Sequence, residues 1–195
     1  MAKVEVDIKG LIKLKQEVQR AAKQVAKVGV LAGATYPSGT KVSQVVEFLE
    51  FGWDQPVTPK QRGWFAAHGI YLKNGTALRC PPRPFFRATF TAKEKTWRQK
   101  GNAALKGLER NPVSKIQKAL VMLGLTAQQD LQDSILNGAV EGEKFAERSE
   151  LTLRLYATQA KGHRMDDTPN QTTTAKPLYR SGLLASSIAF DIENR

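Results

Sequence analysis

The chain is poor in the residues that usually carry chemistry. A single cysteine, Cys80, stands in 195 residues, so no internal disulfide framework is available, and a reducing compartment suits the chain. The two histidines, His68 and His163, lie far apart, and neither HxxxH nor CxxC spacing occurs, which argues against a structural zinc site. No stretch approaches the ~18 consecutive apolar residues that cross a bilayer, so no membrane partner is expected. The opening "MAKVEVDIKG" lacks the apolar core of a secretion signal, so synthesis in the cytoplasm is expected. No GxxxxGK[ST] or GxGxxG cradle for phosphate is present, and "GLLASS" does not form a GxSxG elbow. Cys80 precedes two prolines without a catalytic signature around it, and a pairing with His68 is the weaker reading beside an inert thiol. The adjacent acids Asp166 and Asp167 sit in a polar stretch, where solvation is their ordinary role. Catalytic residues, metal ligands and cofactors are therefore all expected to be absent.

Acidic residues are also scarce, and unevenly so. Residues 1–110 hold 20 Lys and Arg against 8 Asp and Glu, whereas residues 111–195 hold 10 of each, so the whole net charge of +12 belongs to the first part. Such a half suggests nucleic acid, an anionic surface or an acidic protein as partner, and equally suits a solvated lysine-rich face. The densest cationic run includes Lys93, Lys95, Arg98 and Lys100 around Trp97. An aromatic on a cationic surface is one style of binding to duplex or single-stranded DNA. Yet Phe86, Phe90 and Trp97 recur at helical spacing, which favours core packing for those rings, and no RNP, helix-turn-helix or basic-zipper signature accompanies them.

Periodicity predicts an α+β fold: a mainly antiparallel sheet flanked by helices, with a long polar loop or arm near the C-terminus. "VEVDI" alternates like a strand, residues 10–27 recur as an amphipathic helix, and "VGVLAG" is a compact strand candidate. "YPSGT" is a turn, and "KVSQVVEFLEFG" a helix closed by Gly52. "WDQPVTP" reads as irregular and "KQRGWFAAHGIYL" as a short helix leading into a strand. The Asn-Gly of "KNGT" then signals a hairpin whose returning strand is "TALRC". A helix follows from Phe85 to Leu108; the next is capped by Asn111, begins at Pro112 and stops at Gly138, packing through Ile116, Leu120, Leu123, Ala127, Leu131 and Ile135. "LTLRLYATQ" alternates like a strand, and "LYRSGLLASSIAFDIEN" returns to alternation with Ile188, Phe190 and Ile192 on one face. One domain over 1–195 is expected, with 139–180 as an extended loop or arm whose polar part, 161–177, suits a segment that orders on a partner.

The densest local signal is "CPPRPFFRATF" at 80–90. Pro81, Pro82 and Pro84 stiffen the backbone into an extended arm, after which the chain is free to turn helical.

In chain order, "VGVLAGATYPSGTKVSQVVEFLEFG" with Glu50-Phe51-Gly52, "VTPKQRGWFAAHGIYLKNGTAL", "PPRPFFRATF", a tryptophan helix, "ALVMLGLTAQQDLQDSI" and "KPLYRSGLLASSIAFDI" resemble the tail-component or tail-completion proteins of long-tailed bacteriophages. The resemblance runs from about Val28 to Ile192. It departs from the family's pattern where an acidic residue usually precedes a small residue and glycine, since this chain has Arg180-Ser181-Gly182.

The resemblance implies a non-enzymatic virion part, placed at the tail or head–tail neck, that assembles as a ring of six copies, or twelve on the portal side. Its implied partners are further copies of itself, the neighbouring neck, connector and tail-tube proteins, and DNA in the channel. In such a ring each subunit presents one patch and receives another, and a pre-stiffened segment loses little entropy on docking. Pro82, Arg83, Pro84, Phe85, Phe86 and Arg87 are then expected at a subunit or partner contact, although Phe85 and Phe86 would serve as well to seat the helix on its own sheet. Lys93, Lys95, Arg98 and Lys100 are expected to pair with acidic neighbours or with DNA.

Overall fold

A computed structural model describes residues 8–30, 33–107, 111–159, 177–178 and 182–195. The first four residues of the expected strand "VEVDI" and most of the polar segment, with His163, Asp166 and Asp167, lie outside the described residues; Ile8, the last of that stretch, begins a helix. Within them the fold is α+β, with seven helices and six strands. In place of one sheet the strands form three separate two-stranded ladders. The chain groups into two compact units: Met1–Gly29, Lys93–Gln129 and Ala189–Arg195 in the first, and Val30–Ala92 with Asp130–Ile188 in the second.

In the first unit, helix α1 (Ile8–Ala22) ends five residues before the periodicity suggested. Strand β1 (Gln24–Val30) takes over because Val25, Val28 and Val30 favour extended backbone. β1 pairs with the last strand, β6 (Ile188–Asn194). The Arg195 N–H donates to Lys23 O at 2.9 Å, joining the start of one strand to the end of the other, so the pair is antiparallel. In this unit Gly124 leaves room for the ring of Phe190, which a Cβ at that position would strike.

In the second unit, helix α2 (Val42–Phe51) closes at Gly52 as expected, the Gly52 N–H donating to Phe48 O at 3.0 Å. The next stretch, read as irregular, is strand β2 (Trp53–Pro56). Helix α3 (Pro59–Ala67) follows, and its Thr58 and Gln61 form a reciprocal capping box. The expected hairpin around Asn74-Gly75 does not form. Its tight turn needs positive φ at both central residues, and only Gly75 has it, at 76°. Strand β3 (Ala77–Cys80) instead pairs with β2, Trp53 opposite Cys80 and Pro56 opposite Ala77. Pro56 is tolerated there because β2 is an edge.

Helix α4 (Phe85–Ala104) and helix α5 (Pro112–Asn137) match the expected spans to within a few residues. Along α5, Ala127, Leu131 and Ile135 are buried as expected, while Ile116, Leu120 and Leu123 are half-buried.

The stretch expected to begin an extended arm carries regular structure up to residue 159. Strands β4 (Ala139–Val140) and β5 (Glu143–Lys144) form a hairpin. Its turn residues Glu141 and Gly142 have φ of 49° and 91°, as a two-residue primed turn requires. "LTLRLYATQ", expected as a strand, belongs to helix α6 (Glu150–Gln159). The Ser149 hydroxyl accepts from Thr152 N–H at 3.3 Å, and Arg154 pairs with Glu150 one turn back at 2.6 Å. A short helix α7 (Leu183–Ser186) interrupts the alternation expected before β6.

Candidate interaction site

The proline arm is tied into a polar network within the second unit. Helix α4 starts with Phe85, so Pro84 stands at its cap position and offers no side-chain acceptor for the first free N–H groups. Glu50, in the last turn of α2, supplies that acceptor from another element. Its carboxylate is buried and accepts the backbone N–H groups of Phe86 and Arg87, each at 3.0 Å. A carboxylate opposes the dipole at the end of its own helix and complements the dipole at the start of α4. Arg87 offsets the first effect: its Nε donates to Glu50 Oε1 at 3.0 Å and its Nη2 to the Glu50 carbonyl at 2.9 Å.

The arm is held from both sides. The Arg83 N–H donates to Leu49 O at 2.7 Å. The buried Arg83 guanidinium reaches the carbonyls of Ala146 and Glu147 at 2.7 and 2.8 Å and Cys80 Sγ at 3.3 Å. Gly52 faces the arm closely: a Cβ there would lie 2.6 Å from Cys80 O and 2.8 Å from Pro82 N. Its φ of 71° and ψ of 174° are accessible essentially to glycine alone. Glu50 and Gly52 therefore lock one side of the arm.

Between them, Phe51 points outward and is 63% exposed. The Arg87 guanidinium carbon lies 4.9 Å from the centre of its ring, a cation–π contact made while the same arginine holds Glu50. Phe48, one turn back on α2, and Phe90, one turn on along α4, are also exposed. Phe51 and Arg87 thus form an exposed aromatic and guanidinium pair.

The six expected contact residues thus divide. Phe85 is fully buried and Arg83 nearly so, which makes both internal supports and removes them as surface groups; Phe85 and Thr89, four residues apart, form the inward face of α4. Pro84 and Phe86 are half-buried, while Pro82 and Arg87 remain on the surface. Phe90, expected as core, lies outside because the inward face is set by positions 85 and 89. The exposed Phe48 and Phe51 escaped the sequence reading; along α2 they continue the three-residue spacing of Val42 and Val45, which carries them round the helix until Phe51 lies opposite Val42.

An open groove of about 700 Å³ adjoins the arm. Pro82, Pro84, Ala88 and Ala92 form one wall, and Val140 and Phe145 of the β4–β5 hairpin belong to the other.

In the first unit, Lys95 and Lys100 are exposed, Lys93 and Trp97 are half-buried, and Arg98 pairs with Glu94 one turn back at 2.6 Å. Cys80 and His68, weighed as a possible pair, have other contacts: Cys80 Sγ accepts from Arg83, and His68 Nδ1 donates to the Trp64 carbonyl at 2.8 Å. Among the described residues no group of three His, Cys, Asp or Glu side chains is arranged to hold a metal ion, and no helix is long and apolar enough to cross a membrane. Comparisons with protein-family models, curated proteins and solved structures found no match.

Proposed function

We propose that the chain is a non-enzymatic structural protein of a phage virion, which completes the tail or joins it to the head by assembling as a ring around the DNA channel. Six copies follow from the symmetry of a tail, twelve from that of a portal. The observation that carries the reading is the coupling of two separated motifs, Glu50-Phe51-Gly52 and Pro82–Arg87. Two residues of the first lock the second in place, and the third is left outside under Arg87. Exposed phenylalanines beside a fixed arginine are the composition favoured at the centres of protein contacts. Rigidity acquired before binding lowers the entropy cost of docking. The basic first part of the chain then pairs with acidic surfaces on neighbouring neck or tail-tube proteins, assisting encounter and register.

The mass of the purified chain by light scattering, with Phe51→Asp as the variant, tests the reading. A closed oligomer in the wild type and a folded, smaller species in the variant are the expected results. A folded variant with unchanged mass removes the phenylalanine surface from the contact. DNA affinity that falls steeply with salt, without self-association, supports instead a nucleic-acid-binding protein acting through Lys95 and Lys100.

A further inference from the structure

Charge is shared unequally between the two units. The segments of the first hold 16 Lys and Arg against 7 Asp and Glu, and those of the second 14 against 11, so +9 of the net +12 belongs to the smaller first unit. Three of its four described acids are engaged within the unit: Glu94 is tied to Arg98, Glu193 to Lys27, and the Asp191 carboxylate accepts the Ile192 N–H at 2.8 Å. Lys95, Gln99 and Asn102 follow one another at i, i+4 and i+7 on α4, and Lys106 continues the row just past the helix end. All four are exposed. The row turns away from Gly101, where a Cβ would lie 3.1 Å from Leu123 of α5. Lys115 of α5 joins its end, the Nζ donating to the Lys106 carbonyl at 2.5 Å. Helix α1 repeats the spacing with Lys9, Lys13, Gln16 and Arg20, all exposed.

We infer that the α4 row, with Lys115 at its end, is a binding face for the phosphate backbone of duplex DNA. Composition decides between the anionic partners. Lysine is depleted at the centres of protein–protein contacts, where aromatic residues and arginine gather, and the row carries no aromatic and no large apolar side chain. Among the described residues the exposed aromatics, Phe48, Phe51, Trp53, Trp64, Tyr71 and Phe90, all belong to the second unit. Ammonium and amide donors spread over about 16 Å suit the oxygens of successive phosphates. Trp97 is half-buried on the other side of α4, so the row offers no ring on which single-stranded bases could stack. The face therefore meets charge and not sequence. The inference goes beyond the ring contacts and does not depend on them; residues 30–92, also in the basic first part, keep the pairing with acidic protein neighbours.

The test measures binding of the full-length chain to a mixed-sequence duplex of about 30 base pairs by fluorescence anisotropy as salt is raised. Lys95→Gln/Lys106→Gln removes two charges from the row, and Lys60→Gln/Lys73→Gln removes two exposed charges from the second unit. Circular dichroism checks that both variants are folded, and sedimentation follows self-association in parallel. The wild type should bind with an affinity that falls steeply with salt. The row variant should bind more weakly, with a log–log salt slope shallower by about 1.8 per bound subunit, two phosphate contacts at about 0.9 each. The second-unit variant should keep the affinity and slope of the wild type. Equal losses in the two variants mean that net charge alone attracts DNA, and overturn the face. Polyglutamate that competes with the duplex at equal charge concentration assigns the row to an acidic protein, and overturns it as well. A wild type that assembles but has no affinity for DNA overturns the inference and leaves the ring reading standing. A monomer that binds DNA through the row keeps the inference and removes the ring.

Discussion

Glu50 and Arg87 meet three times: the carboxylate accepts the Arg87 backbone N–H and its Nε, each at 3.0 Å, and the Glu50 carbonyl accepts Nη2 at 2.9 Å. One pair thereby caps the start of α4, neutralises the end of α2 and leaves the guanidinium against the exposed ring of Phe51. The buried acid is used entirely for building, and the exposed arginine presents the result.

Removing that acid exposes the cost of the cap. Glu50→Ala leaves two N–H groups at the start of α4 without an acceptor and should lower stability by about 2–3 kcal/mol, the contribution of half-exposed Arg87 being discounted for screening. Glu50→Gln keeps one acceptor oxygen and should lose about half as much. Urea midpoints for the two variants measure the difference; equal losses would mean that charge alone mattered.

Two glycines of the second unit should respond in opposite directions to alanine. At Gly52 a Cβ meets Cys80 O and Pro82 N in a backbone region closed to alanine, so Gly52→Ala should cost about 2 kcal/mol or more. At Gly63, inside α3 and with nothing within 4 Å, Gly63→Ala should stabilise by about 0.5–1 kcal/mol through helix propensity. Thermal melts of both variants decide the matter, and a harmless Gly52→Ala would disprove the close lock on the arm.

Thr89 is almost fully buried, and its hydroxyl has no hydrogen-bond partner among the described residues. Thr89→Val keeps the shape and removes the unsatisfied oxygen, which should raise stability by about 1 kcal/mol. Loss of stability in chemical denaturation would reveal a partner for the hydroxyl, such as a buried water.

Gly124 sets propensity against packing. Alanine favours the helix by about 1 kcal/mol, but its methyl would strike the Phe190 ring, and crowding of this kind costs about 1–3 kcal/mol. Gly124→Ala should therefore destabilise, and adding Phe190→Leu should recover most of the loss. Without such recovery in calorimetry, the glycine serves some other purpose.

Much of the architecture was legible where local chemistry and period agreed. Gly52 and Gly138 mark helix ends, Asn111-Pro112 marks a start, and both long helices keep the expected spans to within a few residues. The failures lie where local signals were ambiguous. Leu151, Leu153 and Leu155 alternate like a strand, yet Leu151 and Leu155 also share a helical face, and the Ser149 cap was the signal that separated the two. Strand β2 was invisible because its four residues, one a proline, gain their ladder only from β3, across an intervening helix.

What the amino-acid order determined by itself was the stiffness of Pro81–Pro84, the excess of positive charge and the extents of the main helices, since these depend on neighbours within a few residues. Only tertiary structure decided which aromatics face water. Phe85 and Phe86 are adjacent in the chain and indistinguishable by composition, but the cap from Glu50 and the inward face shared with Thr89 bury the first and leave the second at the edge. Burial is set by what packs against a helix, and here that contact comes from residues more than thirty positions away in sequence.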